Sequence, residues 1–527
     1  MFSDKLLKGG AFVKKKKKLH IKSVLSLLFG KMVTVGLLIV IQAAFLVWAI
    51  SSLADHFAAV YVGLTLLSII IVIWLFGKDE NPSYKLAWVF IIMALPIFGG
   101  LFYLLFGNKG IPQTLRGRIS SAENSTRTNL ITDSSCLEEL DRQSPHLVPL
   151  ARYITETTYS PLWRRTEAEY LPIGEVIWKR MLEELKKAEK FIFMEYFIID
   201  EGIMWDSVFE ILKDKAAKGV DVRFMYDDIG SIKTLPHRFP DKLRAAGIKC
   251  VLFNPFQPHL NSTMNYRDHR KITVIDGNVG FCSGINIADE YINAYEKYGH
   301  WKDTGVLLRG EGVLNLTAMF LALWNFSCPT DTEFDQFRPT ISCESNGYVQ
   351  PFGDSPLDRI NVEEDAYMQI INRAMRYVYI TTPYLIIDHE MITSLCAAAR
   401  SGIDVRIITP HIPDKWFVHE TTQSFYQILL DAGVRIFEYT PGFVHSKMYV
   451  SDDNVAIVGT ANMDYRSFYL HFECGVCFYN SSIVGDVLED IQKTLEKCQE
   501  IPKDYSSTVP IPRRILRAFL RLFSPMM

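Results

Sequence analysis

The chain has 527 residues, enough for two or three domains. Its net charge of −3 supplies no basic field of the kind that draws nucleic acid. Hydrophobic residues make up 49%, high for a soluble enzyme, and the excess is concentrated before about Phe106.

Residues 1–31 read as a basic tail. Lys14 to Lys18 form an unbroken run, with Lys5, Lys8, Lys22 and Lys31 around it. Such a cluster beside apolar segments predicts a cytoplasmic N-terminus that senses anionic headgroups. A cleaved signal peptide is not expected, because the first apolar run starts late, is too long, and is followed at once by another.

Residues 32–110 read as a membrane region with two or three transmembrane helices. Met32 to about Ile50, Phe57 to Phe76 and Leu86 to Phe106 each approach the ~20 residues that cross a bilayer. None contains an acidic or basic residue. The third holds Pro96, Gly99 and Gly100, residues that kink or reverse a helix. Three full spans from a cytoplasmic start would carry the rest of the chain outside; a third segment that turns back would keep it inside. The sequence leaves both open.

Residues 111–150, rich in Ser, Thr and Asn, read as a linker. Two halves with one script follow, at 151–335 and 336–505. Phe191 to Asp200 is echoed by Tyr377 to Asp388, Gly219-Val-Asp-Val-Arg223 by Gly402-Ile-Asp-Val-Arg406, and Ala246-Gly247-Ile248 by Ala432-Gly433-Val434. Strands alternating with helices predict an α/β layered sheet in each half, and a duplication predicts that the halves pack together with their sites at the junction. Residues 506–527 contain a basic amphipathic helix, Ile511 to Phe523, which docks on the core or lies on a membrane surface. The nine cysteines are scattered. Cys474 and Cys477 form a lone pair in an apolar strand, which predicts buried thiols rather than zinc, and no structural disulfides are expected.

One pattern is written twice at equal spacing: His269-x-Lys271, Asp276, Asn286, and His445-x-Lys447, Asp452, Asn462. Residues two apart on a strand share a face, so each histidine projects with its lysine. Asp276 and Asp452 fall at odd offsets and are expected to brace the site. Asn286 and Asn462 follow the small-residue turns Ser283-Gly284 and Gly459-Thr460, where the backbone can approach a phosphate and an amide can donate to it. One imidazole can attack phosphorus while the other protonates the leaving oxygen, with two lysines on the phosphate oxygens. A catalytic histidine needs a group that fixes its tautomer. Trp301-Lys-Asp303-Thr-Gly305 aligns with His471-Phe-Glu473-Cys-Gly475, which makes Asp303 the expected partner of His269, and Glu473 that of His445. The absence of a Gly-rich nucleotide loop, an HExxH or a paired-cysteine ligand set predicts no cofactor and no catalytic metal.

These residues resemble the phospholipase D superfamily, whose signature is a duplicated His-x-Lys, Asp and Gly-(Ser/Gly)-x-Asn. The match covers about Phe191 to Asn480. The first copy departs with Ser283-Gly284-Ile285-Asn286, and the second carries Thr460 where serine is common. Within the superfamily the chain looks like bacterial cardiolipin synthases. Asn81-Pro82-Ser83, Leu86-Ala87-Trp88 and Tyr103-Leu104-Leu105-Phe106-Gly107 carry that likeness in the membrane region, and Asn265 to Lys271 and Asp464-Tyr465-Arg466-Ser467 carry it around the motifs. An extra apolar segment departs from the commoner two-span pattern. The resemblance implies two phospholipase D-like lobes after N-terminal transmembrane helices in a bacterial cell membrane. The implied reaction joins two phosphatidylglycerol molecules into cardiolipin and glycerol through a phosphatidyl-histidine, with His269 as nucleophile and His445 as acid and base. The alternatives are a phospholipase D-type hydrolase or a transferase using another alcohol. A membrane-anchored lipid-binding scaffold is disfavoured by the intact motifs, and a nuclease by the apolar region and acidic balance. Oligomeric state is not set by the sequence.

Overall fold

The computed structural model describes residues 57–95, 99–107 and 135–527 apart from 257–261, 329–332 and 358–359, with isolated positions between 40 and 51 and between 117 and 130. The basic tail 1–31, most of the first apolar stretch and most of 111–134 lie outside the described residues.

Helix α1, Phe57–Phe76, has 20 residues and no charge, about 30 Å at a rise of 1.5 Å per residue. Its side chains are described from Tyr61 onward. Over the described residues, no helix is long and apolar enough to cross a membrane. Helix α2, Pro82–Ala94, opens on a proline suited to a first turn, and Asn81 Oδ1 accepts from Ser83 N at 2.9 Å. The chain then doubles back. Gly99 lies so close to Ile92 that a Cβ there would stand 2.5 Å from the Ile92 Cα. Eight residues later, Tyr84 Oη donates to the Gly107 carbonyl at 3.0 Å. The third apolar stretch is therefore a hairpin, one arm ending at Leu95 and the other beginning at Gly99. Ile71 and Leu75 of α1 form a small core with Tyr84, Trp88, Ile92 and Tyr103 of the hairpin.

The first lobe is built on a mixed sheet of β1 Thr166–Leu171, β2 Phe191–Tyr196, β3 Asp221–Asp227, β4 Lys249–Phe253, β5 Ile272–Ile275, β6 Val279–Ser283 and β7 Gly305–Gly310. Its spatial order is β1-β7-β6-β5-β2-β3-β4. The second lobe uses β8 Tyr348–Asp354, β9 Tyr377–Thr381, β10 Asp404–Pro410, β11 Arg435–Tyr439, β12 Met448–Ser451, β13 Val455–Gly459, β14 His471–Tyr479 and β15 Cys498–Glu500. Its order, β8-β14-β13-β12-β9-β10-β11-β15, repeats the first and adds one edge strand. Register repeats as well: Ile192 faces Ile275 across β2 and β5, and Val378 faces Ser451 across β9 and β12.

Strand alternation gives each sheet two apolar faces. Ile192 and Met194 point outward to Trp205 and Leu212, and Val378 and Ile380 outward to Met391 and Leu395. Phe193, Ile272, Val274 and Cys282 point inward and share one core with Met448, Val450, Val458 and Val476 of the other sheet. Helices α3, Val313–Ser327, and α4, Ser482–Leu495, fill the same layer. α3 also touches β8, and α4 touches β1, so each reaches across to the other lobe.

The expected linker 111–150 is corrected in its second part. Ser135–Gln143 and Val148–Thr158 are helices, and Leu140, Leu150 and Ile154 are buried in the outer core of the second lobe. The polar composition of the stretch concealed apolar residues at helical spacing. All nine cysteines are unbridged, with Cys474 and Cys477 buried on β14.

Candidate active site

Both His-x-Lys segments lead directly into a central strand, β5 or β12, and each arrives along a strand of the opposite lobe. Arg267 and Asp268 pair in parallel with His471 and Phe472. Gly442 to Val444 pair in parallel with His300 to Lys302. As a result, the His269 N–H donates to the Phe472 carbonyl at 2.9 Å and the His445 N–H to the Lys302 carbonyl at 2.7 Å. Each histidine is delivered beside a carboxylate one residue further along the partner strand.

That crossing corrects the expected pairing. Glu473, not Asp303, holds His269: Nδ1 is 2.9 Å from both carboxylate oxygens. Asp303, not Glu473, holds His445, with Nδ1 2.6 Å from Oδ2. Sequence alignment of the halves identified both carboxylates but assumed that each served its own lobe. A carboxylate requires a donor, so Nδ1 carries the proton in both rings and Nε2 keeps its lone pair. Neither Nε2 has a hydrogen-bond partner among the described residues. Both imidazoles are buried. Burial pushes His269 well below its usual range, despite Glu473 beside it. It brings His445 down to about 4, with Lys447 adding to the effect and Asp303 opposing it.

The two lysines share this pocket. Burial lowers Lys271 to about 8, although Glu473 and Asp303 both favour its charge. Burial lowers Lys447 to about 7, with Asp303 and Glu473 opposing and Lys271 adding to the fall. Each lysine therefore feels the carboxylates of both lobes, which makes the duplicated motifs one electrostatic unit. Each ammonium donates to the carbonyl of its own histidine. Lys447 Nζ also lies 2.8 Å from His445 Nδ1. That nitrogen already donates to Asp303, so the lysine proton has the carbonyl as its acceptor. Burial would raise Asp303, but His445 and Lys447 outweigh it and keep the carboxyl below its usual range. Burial would raise Glu473 too, but His269 and His471 together outweigh it and hold the carboxyl well below its usual range.

The residues between each pair point the other way, as strand parity requires. Arg270 Nε donates to buried Glu195 at 2.7 Å. In the second lobe a hydroxyl pair, Ser446 to Thr381 at 3.2 Å, stands in the same place.

Asp276 and Asp452 are placed at the far ends of β5 and β12, not beside the imidazoles. Asp276 accepts the N–H groups of Glu189, Lys190 and Phe191 at 2.8, 2.7 and 2.8 Å. Asp452 accepts those of Met375, Arg376 and Tyr377 at 2.6, 2.9 and 3.0 Å. Both sit at positive φ, 54° and 52°, in the turn. They clamp the motif strand to β2 or β9 and stand as bracing residues.

Asn286 Oδ1 accepts from Ile198 N at 2.9 Å, and its Nδ2 donates to Tyr291 Oη at 2.7 Å. Asn462 is buried, and its Oδ1 has no partner among the described residues. Just before these asparagines the lobes differ. Thr460 Oγ1 donates to Glu473 Oε2 at 2.6 Å. At the equivalent Gly284 a Cβ would stand 2.0 Å from Asp303 Oδ1. The threonine supports a long carboxylate, and the glycine makes room for a short one.

Sequence reasoning did not assign His471 or Tyr291 to the site. The His471 ring lies 5.3 Å from that of His269, and its Nδ1 is 3.5 Å from Glu473 Oε1. Its same-face offset of two from Glu473 was the available signal. Tyr291, whose ring is 5.8 Å from that of His445, reaches the site from a 3-10 turn, and no spacing pointed to it. Among the described residues, His269, His471 and Glu473 bring three ligand atoms within 4.8 Å, the set best placed to hold a cation. Glu473 is already engaged there by His269 and Thr460, so a cation would compete with those donors.

A family model described as "Cardiolipin synthase, PLD-like domain" matches residues 181–301 and 367–496, once in each lobe. One described as "Phospholipase_D-nuclease N-terminal" matches residues 64–108. A cardiolipin synthase of Alkalihalophilus pseudofirmus is 36% identical over 469 residues, covering 88% of this chain and 93% of that protein. A cardiolipin synthase of Geobacillus kaustophilus is 35% identical over 453 residues, with coverages of 85% and 90%. An uncharacterized protein of Streptococcus mutans is 40% identical over 458 residues, covering 86% of this chain and 99% of that one. Among solved structures, phosphatidylserine synthase of Haemophilus influenzae matches 72% of this chain and 97% of its own with a TM-score of 0.54 at 14% identity, a likeness of fold alone.

Proposed function

The chain belongs to the cardiolipin synthase family of the phospholipase D superfamily, and on that footing we propose that it transfers a phosphatidyl group from one phosphatidylglycerol to the terminal hydroxyl of another, giving cardiolipin and glycerol. The observation that carries this reading is the pair of buried imidazoles, each with Nδ1 on a carboxylate of the opposite lobe and Nε2 without a partner among the described residues.

The donor phosphate lies between Lys271, Lys447, Asn286 and Asn462. Its negative charge offsets the burial that depresses both lysines, so substrate binding holds them protonated. The unsatisfied Asn462 amide suits a ligand contact, since rotation about its last bond presents N–H to a phosphate oxygen. His269 Nε2 attacks phosphorus. The phosphate's charge also favours a second proton, taken from solvent, on Nε2 of His445. The bond to the glycerol oxygen breaks as that proton passes to it, leaving a phosphatidyl-histidine. His445, now neutral, takes the proton from the hydroxyl of the second lipid, whose oxygen displaces His269. Glu473 stabilises positive charge on His269 in the intermediate, and Asp303 does so for His445 before the first step and after the second.

Membrane attachment favours a lipid alcohol over water, because acceptor is concentrated at that surface. From the apolar sequence we read residues 32–50 and 57–76 as two spans, and α2 with residues 99–107 as a re-entrant hairpin. An even number of spans keeps the lobes on the cytoplasmic side with the basic tail. Asn81, at the base of the hairpin, supports this reading, since its Nδ2 donates to Asp388 of the second lobe at 3.2 Å. Labelling of an introduced cysteine on intact cells tests the topology.

Purified full-length chain in phosphatidylglycerol vesicles tests the activity. Cardiolipin and glycerol are expected, with turnover retained after chelation and lost in His269→Asn. Phosphatidic acid as the product would instead identify a hydrolase.

A further inference from the structure

The C-terminal helix α5, Ile511–Leu522, is packed inside out. An amphipathic helix on a soluble surface buries its apolar side. Here the arginines face the protein. Arg517 is 5% exposed and donates to Glu420 Oε2 at 2.8 Å, to Tyr505 Oη at 3.0 Å and to Gln423. Arg513 Nε lies 2.9 and 3.0 Å from the two Glu420 oxygens. Arg521 donates to the Ser424 carbonyl at 3.3 Å, with its guanidinium 4.4 Å from the Phe425 ring. The opposite side carries Ile511, Ile515, Leu516 and Phe519, with Ile515 66% and Phe519 53% exposed.

This apolar side continues onto the membrane hairpin. The Phe90 and Phe523 rings are 6.0 Å apart, and Met526 packs on the hairpin core. Leu86, Phe90 and Met93 of α2 are also exposed. Two elements far apart in sequence thus present one apolar surface, of the kind that marks an interaction site.

We propose that α5 is an in-plane lipid-contact helix: its arginines fasten it to the second lobe while Ile511, Ile515, Leu516 and Phe519 enter the acyl layer beside α2, fixing the height of the active site above the bilayer. The proposal rests on the membrane attachment inferred above and adds the surface that seats the lobes. Because Glu420 and Gln423 occupy the buried arginines, attachment through α5 depends on acyl contact rather than on anionic headgroups.

A fluorophore on Ile515→Cys of the full chain tests this in vesicles of phosphatidylcholine and of phosphatidylglycerol, each containing a lipid spin-labelled high on its chain. The same label on Lys213→Cys, exposed on the first lobe, is the control, and label on the native cysteines is subtracted. Quenching at 515 and not at 213 is expected in both vesicle types. Equal signals at the two positions would overturn the proposal. So would burial of the 515 label in lipid-free detergent with a dimer in sedimentation, which would assign the surface to a second copy. Ile515→Glu with Phe519→Glu is expected to raise the apparent KM for vesicle lipid about tenfold at unchanged kcat and Tm. An unchanged KM would contradict it. Turnover by the unsubstituted chain reports separately on the proposed reaction.

Discussion

His445 of the second lobe rests its Nδ1 2.6 Å from Oδ2 of Asp303, a residue of the first lobe, while His269 of the first lobe rests on Glu473 of the second. Neither half of the duplication completes its own dyad.

The crossing assigns each carboxylate to one chemical step. Glu473→Gln is expected to slow attack by His269 whatever the leaving group, by about 10²- to 10⁴-fold. Asp303→Asn impairs His445, whose first task is to protonate the leaving oxygen. A phosphatidyl donor with a nitrophenol leaving group needs no such proton. Nitrophenol release should therefore recover toward the unsubstituted rate in Asp303→Asn and stay low in Glu473→Gln. The reverse pattern would exchange the roles of the two histidines.

The turns before the asparagines predict unequal sensitivity. Gly284→Ala sets a methyl against Asp303 Oδ1, 2.0 Å from the ideal Cβ position, and must displace the carboxylate or the strand. Thr460→Ala only removes a hydrogen bond to Glu473. A bond to a charged group is worth about 1.5–3 kcal/mol, or about 10- to 100-fold in rate. Gly284→Ala should cost more than this in kcat, and Thr460→Ser should restore most of the Thr460→Ala loss.

The aspartates of the motif are expected to separate from its histidines by stability. Asp276→Ala or Asp452→Ala releases three backbone N–H groups at a partly exposed turn, a loss of about 1–3 kcal/mol. Thermal or denaturant unfolding should show that drop, while folded protein keeps kcat within about threefold. His269→Asn should show the opposite, with near-native unfolding and no turnover.

The buried bases make stability rise with pH. His445 binds its proton only near pH 4 when folded, against an ordinary 6.5. Between those values the unfolded chain holds more protons, so this stabilisation is present above pH 6.5 and lost as pH falls toward 4. The full loss is about 3 kcal/mol at 1.36 kcal/mol per unit. Lys447, at about 7 when folded against 10.5, adds a rise between pH 7 and 10.5. Tm measured across pH on lipid-free protein should climb over both windows. His445→Gln should shrink the acid limb, to which His269 still contributes, and Lys447→Met the alkaline one, to which Lys271 still contributes.

The repeated α/β script of the two halves was legible in the sequence, and so was the shared face of each histidine and lysine, which follows from a period of two along one strand. The exchange of Asp303 and Glu473 was not. It depends on parallel pairing of Gly442–Val444 with His300–Lys302, segments about 140 residues apart whose register no local pattern encodes. The third apolar stretch was ambiguous for a related reason. Pro96, Gly99 and Gly100 permit a reversal, but only the return of Gly107 to Tyr84 shows one. The amphipathy of Ile511 to Phe523 was plain, whereas the side that meets the protein depended on Glu420, nearly a hundred residues earlier.

The covalent step is tested most directly by trapping. The Asp303→Asn chain is given isotopically labelled phosphatidyl donor with a nitrophenol leaving group, quenched in alkali to preserve phosphohistidine, digested and mapped by mass spectrometry. The account predicts label on the peptide containing His269 and none on that containing His445. Turnover with no label on either histidine, or label on His445 alone, would contradict it.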